Sequence, residues 1–239
     1  MPNVIKHAAF VQRLVFYGLV WALPLVPIKA FGQTPPLAPK TLVEVRTEQG
    51  TMVIALYNET PEHRDNFLKL VREGAYNGLL FHRVIKGFMV QGGDPDSRHA
   101  LPGVSLGTGG PDYTLPAEIV SGLVHTRGAL AAARLGDGAN PEKRSNGMQF
   151  YVVDGRTYTA EELERVAQRN ARLGEPVTYT EANKAAYARD GGTPQLDGAY
   201  TVFGQVVNGE AVIDAIAAAA RDGQDRPMED IRMFMRILE

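Results

Sequence analysis

Short stretches of alternating apolar and polar residues dominate this chain, and helical spacing is confined to a few segments. Thr41–Thr47 sets Leu42, Val43 and Val45 among polar neighbours, and Thr51–Tyr57 carries Met52, Ile54 and Leu56. A period of two predicts a strand in each, and Gln49-Gly50 between them predicts a hairpin turn. Thr60-Pro61 then opens a helix, with the threonine as N-cap and the proline at the first helical position. Phe67, Leu70 and Val71 form its apolar stripe, and Gly74 stops it. Further strands are predicted around Leu80–Ile85, Phe88–Gln91, Gly128–Arg134, Met148–Asp154 and Tyr200–Val206. A second helix, about Glu210–Ala219, buries Val212, Ile213 and Ile216, and Ile231–Leu238 supplies a last strand. Many strands with two helices predict a mostly β fold, a closed barrel with helices over its ends.

One stretch falls outside that scheme. Gly155 to Gln195 lies between two strands and has helical patterns of its own. Thr159 and Glu162 make a capping box, and Leu163, Val166 and Ala167 follow at helical spacing. Thr180–Arg189 is a second, weaker helical segment with Ala185, Ala186 and Tyr187. Connections between strands usually take only a few residues, so 155–195 reads as an inserted helical hairpin.

The N-terminus has a different character. Residues 1–13 carry positive charge, and residues 14–26 (LVFYGLVWALPLV) are an almost unbroken apolar run. Pro24 and Pro27 interrupt the run before it reaches the roughly 20 residues a spanning helix needs. Ala30 and Gly32 then place small side chains two apart, the pattern of a signal-peptidase site. Residues 1–32 therefore read as a secretory signal, with a mature start near Gln33. An uncleaved anchor is the alternative, because Lys29 lies close to the cut. Gln33–Lys40 (QTPPLAPK) is a proline-rich linker, and 41–239 is the folded domain.

Charge and composition narrow the function. The 239 residues hold 25 Lys and Arg against 27 Asp and Glu. Three of the basic residues, Lys6, Arg13 and Lys29, lie in 1–32, which has no acid; the remainder is therefore mildly acidic. Such a body has no electrostatic reason to seek nucleic acid or an anionic membrane. No cysteine is present, which excludes disulfides, thiolate metal sites and thiol nucleophiles. Gly107-Thr108-Gly109-Gly110 lacks the Lys-Ser/Thr of a phosphate loop. His63, His82, His99 and His125 have no metal-ligand spacing, no serine sits in GxSxG, and no nucleophile or general base stands out. No metal or cofactor is implied.

What the chain does contain is FHRVIKGFMVQGGD (Phe81–Asp94), SNGMQFYVV (Ser145–Val153) and LDGAYTVFGQVV (Leu196–Val207). An arginine lies in a strand among apolar residues, with amides and aromatics on neighbouring strands. Taken singly, such residues are usually core or a solvated edge charge. Taken together, their order resembles the cyclophilin family of peptidyl-prolyl isomerases over roughly Val43–Arg236, apart from the insertion. That resemblance implies a closed eight-stranded antiparallel β-barrel capped by two α-helices, which agrees with the pattern above.

The chemistry fits the missing base and nucleophile. Amide resonance sets a barrier of about 18–20 kcal/mol, and X–Pro bonds populate both isomers and exchange slowly. Rotation moves no proton to or from carbon. Twisting localises the lone pair on the proline nitrogen, so a positioned donor binds the twisted state better than the planar one. Arg83 is assigned that role, since guanidinium stays charged and offers several donors from one plane. By the resemblance, Phe88, Met89, Tyr151 and Leu196 would line a proline pocket, with Tyr200 at its wall. Gln91 would orient Arg83 and touch the substrate, Gln149 would lie nearby, and Ala133 and the Arg134 backbone would pair with an extended peptide. Alternation turns His82 to the face opposite Arg83, as a packing or hydrogen-bonding residue. Asp94 and Glu118 read as structural or surface acids.

Several positions depart from the family pattern. Gln195 stands where many eukaryotic members have a tryptophan that contacts cyclosporin, Tyr200 replaces a histidine, and Tyr151 replaces a phenylalanine. Arg134–Arg144 adds about ten residues before the SNG motif. The insertion lies between strands carrying Tyr151 and Leu196 and is expected beside the mouth of the site. The leading reading is a monomeric prolyl isomerase acting on proline-containing polypeptides that fold after export, in the periplasm of a cell with two membranes and otherwise secreted or anchored. The alternatives are a chaperone module that holds proline segments with little turnover, and an envelope scaffold whose insertion binds a partner.

Overall fold

The computed structural model describes residues 40–238; the expected signal, 1–32, and the linker up to residue 39 lie outside them. The strands are β1 (Leu42–Thr47), β2 (Gly50–Leu56), β3 (Leu79–Ile85), β4 (Met89–Gly92), β5 (Thr114–Leu115), β6 (Ala129–Ala132), β7 (Ser145–Asn146), β8 (Phe150–Val153), β9 (Val202–Asn208) and β10 (Arg232–Leu238). The helices are α1 (Pro61–Arg72), α2 (Ala160–Arg172), α3 (Glu181–Arg189) and α4 (Glu210–Ala217). Eight strands close a barrel in the order β1-β10-β3-β4-β8-β6-β9-β2, every pairing antiparallel. Strands β5 and β7 form a separate two-stranded ribbon.

The alternation along each strand decides what lies inside the barrel. Val43, Val45, Met52, Ile54, Val90, Leu130, Phe150 and Val152 turn inward and are buried in one core. Helix α1 adds Phe67, whose ring meets Phe150 and Phe203 edge-on at 5.7 and 5.5 Å, and α4 adds Ile213 and Ile216. Edge-to-face rings of this kind contribute beyond the area they bury.

Local details differ from expectation at three points. The β1–β2 turn is Glu48-Gln49, with Gly50 already paired to Thr47. Phe88 belongs to the β3–β4 turn and not to a strand, and its N–H donates to Ile85 O at 3.0 Å. Gly87 takes φ +75° in that turn, a conformation open to glycine at no steric cost. Thr60 precedes α1, but its hydroxyl makes no cap and is buried without a partner. Glu118 accepts from the N–H groups of Glu62 and His63 instead, at 3.1 and 2.9 Å, and its acidity suits the positive end of the helix.

The insertion is a helical hairpin, as expected, on a narrow neck. Arg156 and Gly192 exchange main-chain hydrogen bonds, and Thr193 N–H donates to His125 O at 2.8 Å. A side chain at Gly192 would meet that same carbonyl at 2.2 Å, so the close approach requires glycine. The α2 capping box forms through Thr159 and Glu162. Leu163, Tyr187 and Val124 make a small separate core. Among the described residues no helix is long and apolar enough to cross a membrane.

Candidate active site

Because Val90, Leu130, Phe150 and Val152 face inward, Met89, Ala131, Tyr151 and Val153 face out, packed as a second apolar cluster on the barrel's outer wall. The β3–β4 turn brings Phe88 to this cluster and the short helical turn Pro194–Leu196 brings Leu196. A cavity of about 200 Å³ opens there, lined by Arg83, Phe88, Met89, Gln91, Ala133, Arg134, Tyr151, Leu196 and Tyr200. That is several times the ~30 Å³ a water molecule occupies in the liquid. Of the ten positions singled out in the sequence, only Gln149 is off the lining. It stands directly behind.

The polar side of the cavity is a chain of oriented groups. Arg83 and Gln91 face each other across β3 and β4, and Arg83 Nη1 donates to Gln91 Oε1 at 3.4 Å. Gln91 Nε2 donates to Gln149 Oε1 at 3.0 Å, and Gln149 Nε2 donates to the carbonyls of Gly107 and Gly109 at 3.0 and 2.6 Å. The two fixed carbonyls orient both amides, since only an NH₂ can face them. Asp225 lies 3.8 Å from Arg83 Nε, and the arginine side chain remains 42% exposed. At that exposure the pair is worth little, and the guanidinium keeps donors to spare.

Arg134 is not a free cation. Its guanidinium lies 4.4 Å over the Tyr200 ring, donates from Nε to Ala199 O at 2.8 Å and pairs with Asp137 at 2.6 Å. It makes a wall with Tyr200. Ala133 is committed too: its N–H donates to Gln149 O, and its carbonyl accepts from Asn146 N–H. The added Arg134–Arg144 segment borders an adjoining cavity of about 390 Å³ that shares Ala133, Arg134, Gln91 and Gln149 with the first site's surroundings.

Beneath the apolar wall, the Tyr151 hydroxyl lies 3.0 Å from His125 Nε2, and His125 Nδ1 lies 2.7 Å from Asp197 Oδ1. Burial raises the Tyr151 hydroxyl well above the usual phenol range, with Tyr200 and Asp197 adding to the effect. No spacing in the sequence connects these groups, and Asp197, next to Leu196 in the LDG motif, is the one signal it offers.

Other acids and histidines are structural. Asp94 is fully buried and accepts from the N–H groups of Asp96, Gly107 and Gly109, which holds the glycine loop behind Gln149. His63 bridges Glu118 and Ser145 at 2.6 and 2.9 Å. His82 departs from expectation: the β3–β4 register shifts between Phe81 and Arg83, so His82 and Arg83 line the same cavity of about 370 Å³ beside the 104–108 loop. A bulge of this kind cancels strict alternation. Burial lowers the His82 pKa to about 4 although Asp94 opposes it, and neither ring nitrogen has a well-formed hydrogen bond. Gln195 lies off the cavity lining and accepts from the Tyr158 hydroxyl at 3.3 Å.

Residues 42–235 match the sequence model of a family described as cyclophilin type peptidyl-prolyl cis-trans isomerase/CLD. A putative peptidyl-prolyl cis-trans isomerase of Staphylococcus haemolyticus is 33% identical over 192 residues, 79% of this chain and 86% of that protein. A putative bifunctional phosphatase/peptidyl-prolyl cis-trans isomerase of Streptococcus pyogenes is 37% identical over 197 residues, and the chain spans only 37% of its length. Among solved structures, a Cryptosporidium parvum cyclophilin type isomerase aligns with TM-score 0.58 at 24% identity, over 84% of this chain and 98% of that one. The same protein in the presence of the dipeptide Ala-Pro aligns with TM-score 0.57 at 23% identity, over 83% and 99%. At these identities the two structures speak for the barrel alone.

Proposed function

The chain belongs to the cyclophilin-type peptidyl-prolyl cis-trans isomerase family, and from that premise we propose that Arg83 accelerates X–Pro rotation by donating to the proline nitrogen in the apolar niche. The observation carrying this reading is the placement of Arg83 on the rim of the cavity, facing Gln91 and bordered by Phe88, Met89, Tyr151 and Leu196. The niche takes the pyrrolidine ring against its apolar wall of Phe88, Met89, Tyr151 and Leu196. The peptide runs past Ala133, pairing with the Arg134 main chain and the second lone pair of the Ala133 carbonyl. As the amide twists, the proline nitrogen gains a localised lone pair. A guanidinium already aimed at it pays no reorganisation at that moment. No base, nucleophile or metal enters the step.

A module that only held proline segments would gain nothing from an oriented guanidinium. Isomerisation of a short X–Pro peptide by the wild type and by Arg83→Ala separates the readings. Wild-type kcat/KM retained in the variant overturns the role given to Arg83.

The clients are proteins folding after export. Support comes from the charged, apolar and small-residue order of residues 1–32. N-terminal sequencing of protein recovered from the cell envelope tests this. A start near Gln33 is expected, whereas full-length protein confined to the cytoplasm overturns it.

A further inference from the structure

Behind Tyr151 lies a buried carboxylate with four hydrogen bonds, and two of the four come from the helical insertion. Asp197 Oδ1 accepts from the His125 main-chain N–H at 2.7 Å and faces His125 Nδ1 at 2.7 Å. Asp197 Oδ2 accepts from the Tyr187 hydroxyl at 2.6 Å and from the Tyr179 hydroxyl at 2.9 Å. A carboxylate offers about four lone-pair sites, so Asp197 is saturated. It can only accept while ionised, which places a proton on His125 Nδ1 and leaves Nε2 to meet the Tyr151 hydroxyl. The His125 and Tyr151 rings lie 12° from parallel with their centroids 6.0 Å apart. Burial together with Asp197 holds the Tyr179 and Tyr187 hydroxyls far above the usual phenol range, so both remain donors.

The insertion grips the same turn at a second point. Asn170, fully buried at the end of α2, donates through Nδ2 to the main-chain carbonyls of Pro194 and Asp197 at 2.9 and 3.2 Å. These carbonyls flank Leu196, which lines the niche. A hairpin that merely covered itself would need only its small apolar core. Here its polar side chains reach inward to a charge that is 1% exposed, where an unpaired carboxylate would be costly.

We propose that the 155–195 hairpin is a positioning element for the proline niche, acting through Tyr179 and Tyr187 on Asp197 and from there through His125 on Tyr151. The inference rests on the isomerase reading. None of the hairpin tyrosines lines the niche, and Arg83 is held by Gln91 and Asp225, which lie outside this network. The hairpin therefore governs how well the niche grips the ring, and leaves the donor to the proline nitrogen untouched.

The test is a double-mutant cycle between Tyr187→Phe and Tyr151→Phe, both of which keep the ring, read as KM and kcat on a short X–Pro peptide. Tyr187→Phe is expected to raise KM about threefold or more, with kcat little changed; in the Tyr151→Phe background most of that increase disappears. Groups in one hydrogen-bonded network couple by at least about this factor. Tyr179→Phe, run in parallel, serves if Tyr187→Phe does not fold. Additive effects, or an unchanged KM in both hairpin variants of an active enzyme, overturn the proposal. A wild type without turnover sinks the isomerase reading instead. In that case the ¹⁵N resonance of His125 Nε2 decides: a shift on losing either hairpin hydroxyl supports the network, and an unmoved resonance overturns it.

Discussion

Gln91 accepts a hydrogen bond from Arg83 Nη1 while its own amide donates to Gln149, so the guanidinium is aimed by a chain of amides anchored on two glycine carbonyls. Arg83→Ala removes the donor and is expected to lower kcat/KM for X–Pro isomerisation by about 10²–10³, the usual loss for one preorganised donor. Arg83→Lys should recover little of it, because a flexible ammonium cannot reproduce a planar fork held by Gln91. Steady-state rates of the two variants on one peptide check both statements; full recovery by lysine would mean that charge alone suffices.

Gly109 ties the stability of the loop to the aim of Arg83. Its N–H donates to Asp94 and its carbonyl holds Gln149. A methyl group added there would lie 2.1 Å from Asp94 Oδ1 and 2.8 Å from Asp96 Oδ2. Gly109→Ala must therefore displace the loop from a buried acid, at a cost of about 1–3 kcal/mol, as for overpacking. The denaturation midpoint is expected to fall, and kcat/KM with it, because Gln149 loses an anchor. A variant less stable but equally fast would show that the amide chain does not aim Arg83.

Much of this architecture was legible in the sequence, and the exceptions share a cause. The eight barrel strands follow from alternation, and the cavity lining from the family resemblance carried by three motifs that are each local along the chain. Phe88, Met89 and Gln91 could be placed because they sit within nine residues of Arg83. The Asp197 network could not. Its donors Tyr187, Tyr179 and His125 stand 10, 18 and 72 residues away, with no periodicity that joins them. The cap of α1 shows the same limit: Thr60 is in the right place, but the acceptor is Glu118, 55 residues from His63. His82 escapes strict alternation because a bulge shifts the register there, and β3 itself holds no glycine or proline to announce it.

Asn170 offers a test of the hairpin's attachment by stability alone. Its side chain is fully buried, with Nδ2 on two main-chain carbonyls. Asn170→Ala removes those bonds and leaves a void, so a loss of about 1–3 kcal/mol is expected from chemical denaturation. Exposed Gln168, two residues earlier on α2, is the control, and Gln168→Ala should change stability by less than about 0.5 kcal/mol. Equal small effects from both would mean that the hairpin is attached elsewhere.

The pH dependence of stability should carry the mark of His82. Its pKa falls from 6.5 to about 4 in the native state, chiefly through burial, with Asp94 opposing and Arg83 and Arg226 assisting. Above about pH 6.5 the imidazole is neutral in both folded and unfolded chains and contributes no slope. Between 6.5 and 4 the unfolded chain takes up a proton that the folded one refuses, so stability drops as pH falls through this window and levels off below it. At about 1.4 kcal/mol per unit the full effect is about 3 kcal/mol. His63, also lowered by burial against the pull of Glu118, adds to the slope in the same direction. Denaturation midpoints at pH 7 and pH 5 should therefore lie closer together in His82→Gln than in the wild type. An unchanged gap would assign the acid sensitivity to His63 and the carboxylates, with His82 taking up its proton alike in both states.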